Sequence, residues 1–199
     1  PRSTLFPYTT LFRSAEPALN VAALVGHTAL RASTMDRLDR PATEAEISQM
    51  RAMLEAALAQ GALGLSSGLA YHNASCAPAA ELLALAAPLA AAGAIYTTHL
   101  RTEFDGILDA LTEAADLGEA LKVPVVVSHL KCAGVANWGR SAEVLDFFAA
   151  RRQQQQLSCD CYPYSASSST LDLAQVTGDF DIFITRSEEH TSELQSPNT

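Results

Sequence analysis

Along this chain the apolar positions switch between two rhythms, short unbroken runs and stripes with a 3.6-residue period. Runs bounded by turn residues read as buried strands, and stripes read as amphipathic helices. Residues 21–26 form the first run. Thr43-Glu-Ala-Glu46 has the form of a capping box. It opens a helix with Ile47, Met50, Leu54, Ala57 and Leu58 on one face, which Gly61 ends. Residues 62–66 are the next strand, and a second helix is expected over 79–92. The strand Ala94-Ile-Tyr-Thr-Thr-His99 comes after it. A third helix over 103–120 would bury Ile107, Leu108, Leu111, Ala114, Ala115 and Leu117. The strand Val123-Pro-Val-Val-Val-Ser-His129 leads into a loop over 131–139. Ser141 starts a helix through Val144, Leu145 and Phe148, and 157–162 is the last strand.

Strands that alternate with helices and are apolar on both faces imply a parallel sheet with right-handed crossovers. Neither a G-x-G-x-x-G turn nor a P-loop is present, which removes support from nucleotide-binding sheets. The expected fold class is α/β. Five strands and four intervening helices make a partial (β/α)8 TIM-type barrel, about its strands 3–7.

At 48% apolar and 18% charged residues this is a globular composition. The net charge of −9 argues against nucleic acid or an anionic membrane as a partner. No apolar run reaches the ~20 residues of a membrane span, and the Ala/Leu-rich stretch 82–94 holds Pro88 and Gly93. The expected compartment is the cytoplasm; no signal peptide is visible, and export stays open because the true N-terminus is missing. Cys76, Cys132, Cys159 and Cys161 have neither zinc-knuckle nor redox spacing and read as small buried apolar side chains.

The two ends stand apart from this pattern. Residues 4–14 match one reading frame of a common short-read sequencing adapter, and residues 186–196 match its partner. The expected organisation is 1–14 adapter-derived without a fold, 15–185 a barrel slice cut from a longer gene, and 186–199 adapter-derived without a fold. His190 then carries no chemistry.

His99 and His129 each close a strand, at the end where (β/α)-barrels build active sites. Two neutral imidazoles converging on one point are a common core of a zinc site. Alternation puts Ile95, Thr97 and His99 on one face, and Val125, Val127 and His129 on one face of the next strand. In the last strand Asp160 and Tyr162 would share the inward face, with Cys159 and Cys161 turned to the helices. Asp160 reads as a buried hydrogen-bonding carboxylate, and Tyr162 brings its hydroxyl beside the metal.

Five motifs occur in order: Val25-Gly-His-Thr-Ala-Leu-Arg31, Gly61-Ala-Leu-Gly-Leu-Ser-Ser-Gly-Leu-Ala-Tyr71, Tyr96-Thr-Thr-His-Leu-Arg-Thr-Glu103, Ser128-His-Leu-Lys-Cys-Ala-Gly134 with Asn137-Trp-Gly-Arg140, and Tyr162-Pro-Tyr164. Together they resemble the N-acyl-D-amino-acid deacylases (D-aminoacylases) of the amidohydrolase superfamily. The resemblance implies a zinc-dependent barrel that cleaves the amide of a small-molecule N-acyl-D-amino acid with metal-activated water. It implies His99 and His129 as ligands of Zn2+, and Tyr162 as a residue that holds the substrate carboxylate. Lys131 and Ser168 fall where the family has active-site loop residues. His27 reads as structural and His72 as a surface loop residue. The family's first-strand His-x-His, its zinc-binding cysteine and its eighth-strand aspartate, the general base, have no counterpart in this chain. No catalytic residue is therefore assigned here, and the chain alone is expected to be inactive. A cyclic amidase of the hydantoinase or dihydroorotase kind is a second possibility within the superfamily.

A third reading competes. Gly64-Leu-Ser-Ser-Gly68 fits the G-x-S-x-G elbow of serine hydrolases, with Ser66 as nucleophile and His129 as base. An elbow runs directly from strand into helix, whereas residues 69–78 here read as loop.

Overall fold

The computed structural model describes residues 18–164. The apolar runs form β1 (Leu24–Gly26), β2 (Gly64–Gly68), β3 (Ile95–His99), β4 (Val125–Val127) and β5 (Leu157–Cys159). They make one parallel sheet in chain order, β1-β2-β3-β4-β5. The helices are α1 (His27–Thr34), α2 (Glu44–Ala59), α3 (Ala79–Ala86), α4 (Pro88–Ala92), α5 (Ile107–Leu121) and α6 (Ser141–Arg151). The α/β alternation expected from the apolar rhythm is therefore the architecture found. Met50, Leu54, Leu82, Leu85, Leu89, Ile107, Leu111 and Phe148 belong to the same buried core as Val25, Leu65, Val125 and Leu157 of the strands. Burying each large apolar side chain is worth roughly 1.5–3 kcal/mol. Among the described residues no helix is long and apolar enough to cross a membrane.

Local chemistry explains where the elements begin and end. Thr43 closes the capping box of α2 in both directions, accepting from the Glu46 N–H at 3.3 Å while Glu46 accepts from the Thr43 N–H at 2.8 Å. The helix expected over 79–92 is two helices, because Pro88 has no N–H to continue the ladder. Gly93, left-handed at φ 60°, ends the second. The third helix begins at Ile107 rather than 103, since residues 100–106 form bends and a turn. Helix α1, which the apolar pattern did not separate from its motif, opens directly on β1.

Two glycines fit because a side chain would not. A Cβ on Gly64 would sit 1.9 Å from the Ile95 carbonyl oxygen of the neighbouring strand. One on Gly118 would lie 2.4 Å from Val125 Cγ2, so its absence lets α5 settle on β4.

A buried polar cluster ties α1 to α3. His27 and Arg31 are fully buried, and Glu81 is 1% exposed. Glu81 Oε1 lies 3.0 Å from His27 Nε2 and accepts from Arg31 Nη1, while Oε2 accepts from the Ala42 N–H at 2.8 Å. Arg31 also donates to the carbonyls of Leu38 and Arg40. Burial works against the charge on Glu81, but the hydrogen bonds from His27, Arg31 and Ala42 outweigh it and bring its pKa down to about 2. His27 is thus a structural residue.

Candidate metal centre

His99 is the last residue of β3, and β3 pairs with β4 in parallel register from Tyr96↔Val125 to Thr98↔Val127. Both strands therefore deliver their C-terminal residues to the same sheet end. His129 lies two residues beyond β4, in a turn with φ 42°. A non-glycine residue in that region is uncommon and strained. Asp160 holds the turn: its Oδ1 accepts from the His129 N–H at 2.6 Å and its carbonyl from the Leu130 N–H at 2.8 Å.

The strained turn brings the two rings together. His99 Nδ1 and His129 Nε2 are 2.8 Å apart, with ring centroids at 4.5 Å in an edge-on arrangement. Tyr71 packs over His99 with centroids at 5.0 Å, and the Tyr162 ring lies 6.4 Å from that of His129. Glu103, 6% exposed, stands beside the other edge of His129, its Oε1 at 3.2 Å from Nδ1. Lys131 Nζ donates to Glu103 Oε1 at 2.7 Å and pairs with Oε2 at 2.6 Å. It also lies 3.1 Å from His129 Nδ1 and 5.6 Å from the Tyr162 ring centre.

Burial pushes the His99 imidazole below its ordinary pKa. The Glu103 charge opposes that shift, and His129 and Lys131 reinforce it. A neutral imidazole is the form that ligates a metal. Ligand atoms of His99, Glu103 and His129 all lie within 4.8 Å of one another. Tetrahedral zinc with Zn–N of ~2.0–2.1 Å sets two ligand nitrogens roughly 3.3 Å apart, so the rings need part by only about half an ångström. The facing nitrogens of His99 and His129 fit a zinc-type cation as two of the three protein ligands usual in a catalytic site, with Glu103 close by.

Several expectations are corrected. Asp160 is exposed and lies past the end of β5, where it supports the His129 backbone rather than pointing inward from a strand. His129 is aimed by its left-handed turn and not by strand alternation. Cys76, Cys159 and Cys161 are exposed and Cys132 is half-buried. Cys76 sits in a turn, and β5 is an edge strand of three residues that ends before Cys161, so neither place buries a thiol. Among the described residues no cysteine joins the histidine cluster. Ser66 lies inside β2 with its hydroxyl on the Val25 carbonyl at 3.4 Å, and turns rather than a helix follow the strand. No nucleophile elbow forms there. His72 is exposed in a turn. Ser168, His190 and both adapter-like ends lie outside the described residues. Glu103 and Tyr71 lie within the motifs that carry the resemblance, and the sequence pattern assigns neither a role. The one signal for Glu103 was a carboxylate four residues beyond a strand-end histidine.

Adjacent parallel strands of an α/β sheet thus carry two converging imidazoles at their carboxyl ends, the end where such folds build their sites. No protein-family model matches the chain. It is 44% identical over 164 residues to the D-aminoacylase of Alcaligenes xylosoxydans xylosoxydans, a match covering 82% of this chain and 34% of that protein. It is 48% identical over 157 residues to the N-acyl-D-aspartate deacylase of the same organism, covering 78% and 32%. A solved structure of N-acyl-D-glutamate deacylase from Bordetella bronchiseptica, complexed with zinc and a phosphonate mimic of the tetrahedral intermediate, superposes with a TM-score of 0.87. The sequences there are 39% identical, and the match covers 97% of this chain and 41% of that one. The chain belongs with the D-aminoacylases and N-acyl-D-amino-acid deacylases of the amidohydrolase family. It spans about a third of the length of the curated relatives it matches.

Proposed function

We propose that this chain supplies two histidine ligands and part of the substrate-binding face of a zinc-dependent N-acyl-D-amino-acid deacylase. The observation that carries the reading is the 2.8 Å approach of His99 Nδ1 to His129 Nε2 across adjacent parallel strands. Zinc bound there supplies Lewis acidity toward the scissile amide carbonyl and makes a coordinated water more acidic. His99 and His129 bind that ion in neutral form. Lys131 and Tyr162, which lie beside His129, supply an ammonium and a phenol hydroxyl for the carboxylate of the N-acyl-D-amino acid. Ser168 is proposed to join them. We assign no general base to this chain, and place that role on an aspartate of the eighth barrel strand, so the 199-residue chain binds zinc without turnover. The net charge of −9 supports a small-molecule substrate rather than nucleic acid. Four cysteines outside any disulfide suit the reducing cytoplasm, the compartment proposed.

The test has two arms. Zinc titrated into the purified 199-residue chain is expected to bind at one site, and His99→Ala or His129→Ala to abolish it. Equal binding by wild type and the double variant would refute the site. In the second arm, residues 18–164 replace the homologous third of a D-aminoacylase. The chimera is expected to hydrolyse N-acyl-D-amino acids, to lose that activity to a chelator and to regain it with zinc. A folded, zinc-loaded but inert chimera would refute the activity.

A further inference from the structure

We propose that Glu103 is a positioning residue that selects the metal-ready tautomer of His129 and restrains Lys131 from selecting the opposite one. The inference rests on the metal site proposed above and adds a residue that the family resemblance did not assign.

Geometry places Glu103 on the wrong edge of His129 to be a ligand at the shared point. His129 turns Nε2 toward His99 Nδ1, whereas Glu103 Oε1 faces Nδ1 on the opposite edge of the ring. Both Glu103 oxygens are already engaged by Lys131. The Glu103 carbonyl accepts from the Ala133 N–H at 2.8 Å, which fastens the loop carrying Lys131 to the one carrying Glu103.

A neutral imidazole has one N–H and one lone pair, and its partners decide which nitrogen has which. A carboxylate only accepts, so Glu103 beside Nδ1 favours Nδ1–H and leaves the Nε2 lone pair facing His99. Carboxylate partners fix metal-binding histidines in this way. An ammonium only donates. Lys131 Nζ, 3.1 Å from the same Nδ1, favours the opposite tautomer, which would turn an N–H toward the metal point and close it to a cation. Glu103 holds Lys131 by two short charged contacts, and the His129 carbonyl takes a further donor at 3.2 Å. In the substrate-free chain the ammonium is so occupied, and the carboxylate decides the tautomer. Removing Glu103 leaves Lys131 free to donate to Nδ1.

The test uses the 199-residue chain with 15N-labelled histidine at mildly alkaline pH. Without metal, His129 is expected as the Nδ1–H tautomer in wild type and in E103Q, whose amide oxygen still accepts. E103L is expected to switch it to Nε2–H. Zinc affinity should fall ~10–100-fold in E103L, stay within a few-fold of wild type in E103Q, and largely recover in E103L/K131M. A purely structural role for Glu103 would show no such recovery. The Nε2–H tautomer in metal-free wild type overturns the inference, and needs no variant to fold. So does an E103Q chain that loses zinc as fully as E103L and changes the visible spectrum of bound Co2+, since Glu103 is then a ligand. Wild type that holds Nδ1–H yet takes up no zinc sinks the metal site itself. Wild type that binds zinc while His129 rests as Nε2–H sinks this inference alone.

Discussion

At the scale of single residues, the centre depends on a backbone conformation that histidine seldom adopts. His129 at φ 42° stores of order 1–3 kcal/mol, and the Asp160 carboxylate offsets it by accepting the His129 N–H. Asp160→Ala should cost about 1 kcal/mol in urea unfolding, as expected for one exposed hydrogen bond, and should weaken zinc binding more than it weakens the fold. Unchanged zinc affinity would mean the turn holds itself. A second residue sets a pH dependence. The Glu81 carboxyl falls from the ordinary value near 4.5 to about 2 on folding. A lowered pKa contributes stability above the unfolded value, which is lost as pH drops from about 4.5 toward 2. Stability should therefore fall over that window, and Glu81→Gln should flatten the fall while costing roughly 3–5 kcal/mol at neutral pH by stranding buried Arg31. An equal acid slope in both proteins would show that other carboxylates set it. In the chimera, Tyr162→Phe should raise KM and leave kcat nearly unchanged, because a bond to the substrate carboxylate is the same in ground and transition states. The two histidines were legible in the sequence because each closes an apolar run. Glu103 was not, because a loop carboxylate has no period; Asp160 was legible as a hydrogen-bonding carboxylate but not in its exposure or its partner, which is set by a turn that no pattern encodes.

At the scale of elements, the apolar rhythm located the strands and long helices but misjudged their ends wherever backbone chemistry overrode it. The stretch from 79 to 92 is apolar apart from Glu81, yet Pro88 divides it. The run 157–162 stops as a strand at Cys159: Asp160 makes one more backbone bond, its N–H to the Val127 carbonyl at 3.1 Å, and its carboxylate and carbonyl then take the N–H groups of the His129–Leu130 turn. Helix α5 shows packing defeating propensity. Glycine inside a helix costs roughly 0.5–1 kcal/mol relative to alanine, so Gly118→Ala ought to stabilise an isolated helix. Here the added Cβ would meet Val125 Cγ2 at 2.4 Å and the Val123 carbonyl at 3.2 Å. Overpacking of that kind costs about 1–3 kcal/mol, and it wins. Gly118→Ala should lower the thermal midpoint, and a raised midpoint would place α5 farther from β4 than the structure has it.

At the scale of the whole molecule, two opposing tendencies decide how copies of the chain meet. Among the described residues the sheet runs from β1 to β5 without closing, so each of those strands offers one unpaired edge. Open edges are templates for pairing with another chain. Leu24 on β1 and Val21 just before it are 36% and 49% exposed, which adds an apolar contribution at that edge. Against this, β1 and β5 are three residues each, and short edges support only a few ladder bonds. The net charge of −9 also drives copies apart. That repulsion acts over about 10 Å at 0.1 M salt and is screened as salt rises, whereas edge pairing and apolar contact are not. Charge should therefore prevail at low ionic strength and pairing at high ionic strength. Sedimentation velocity on the 199-residue chain should show a monomer in dilute buffer and a reversible, concentration-dependent shift to larger species as salt is added. Val21→Lys with Leu24→Lys should suppress the shift by placing charge on the edge. A chain that stays monomeric at every salt concentration would show that both edges are covered, and association unaffected by the two lysines would move the contact away from β1.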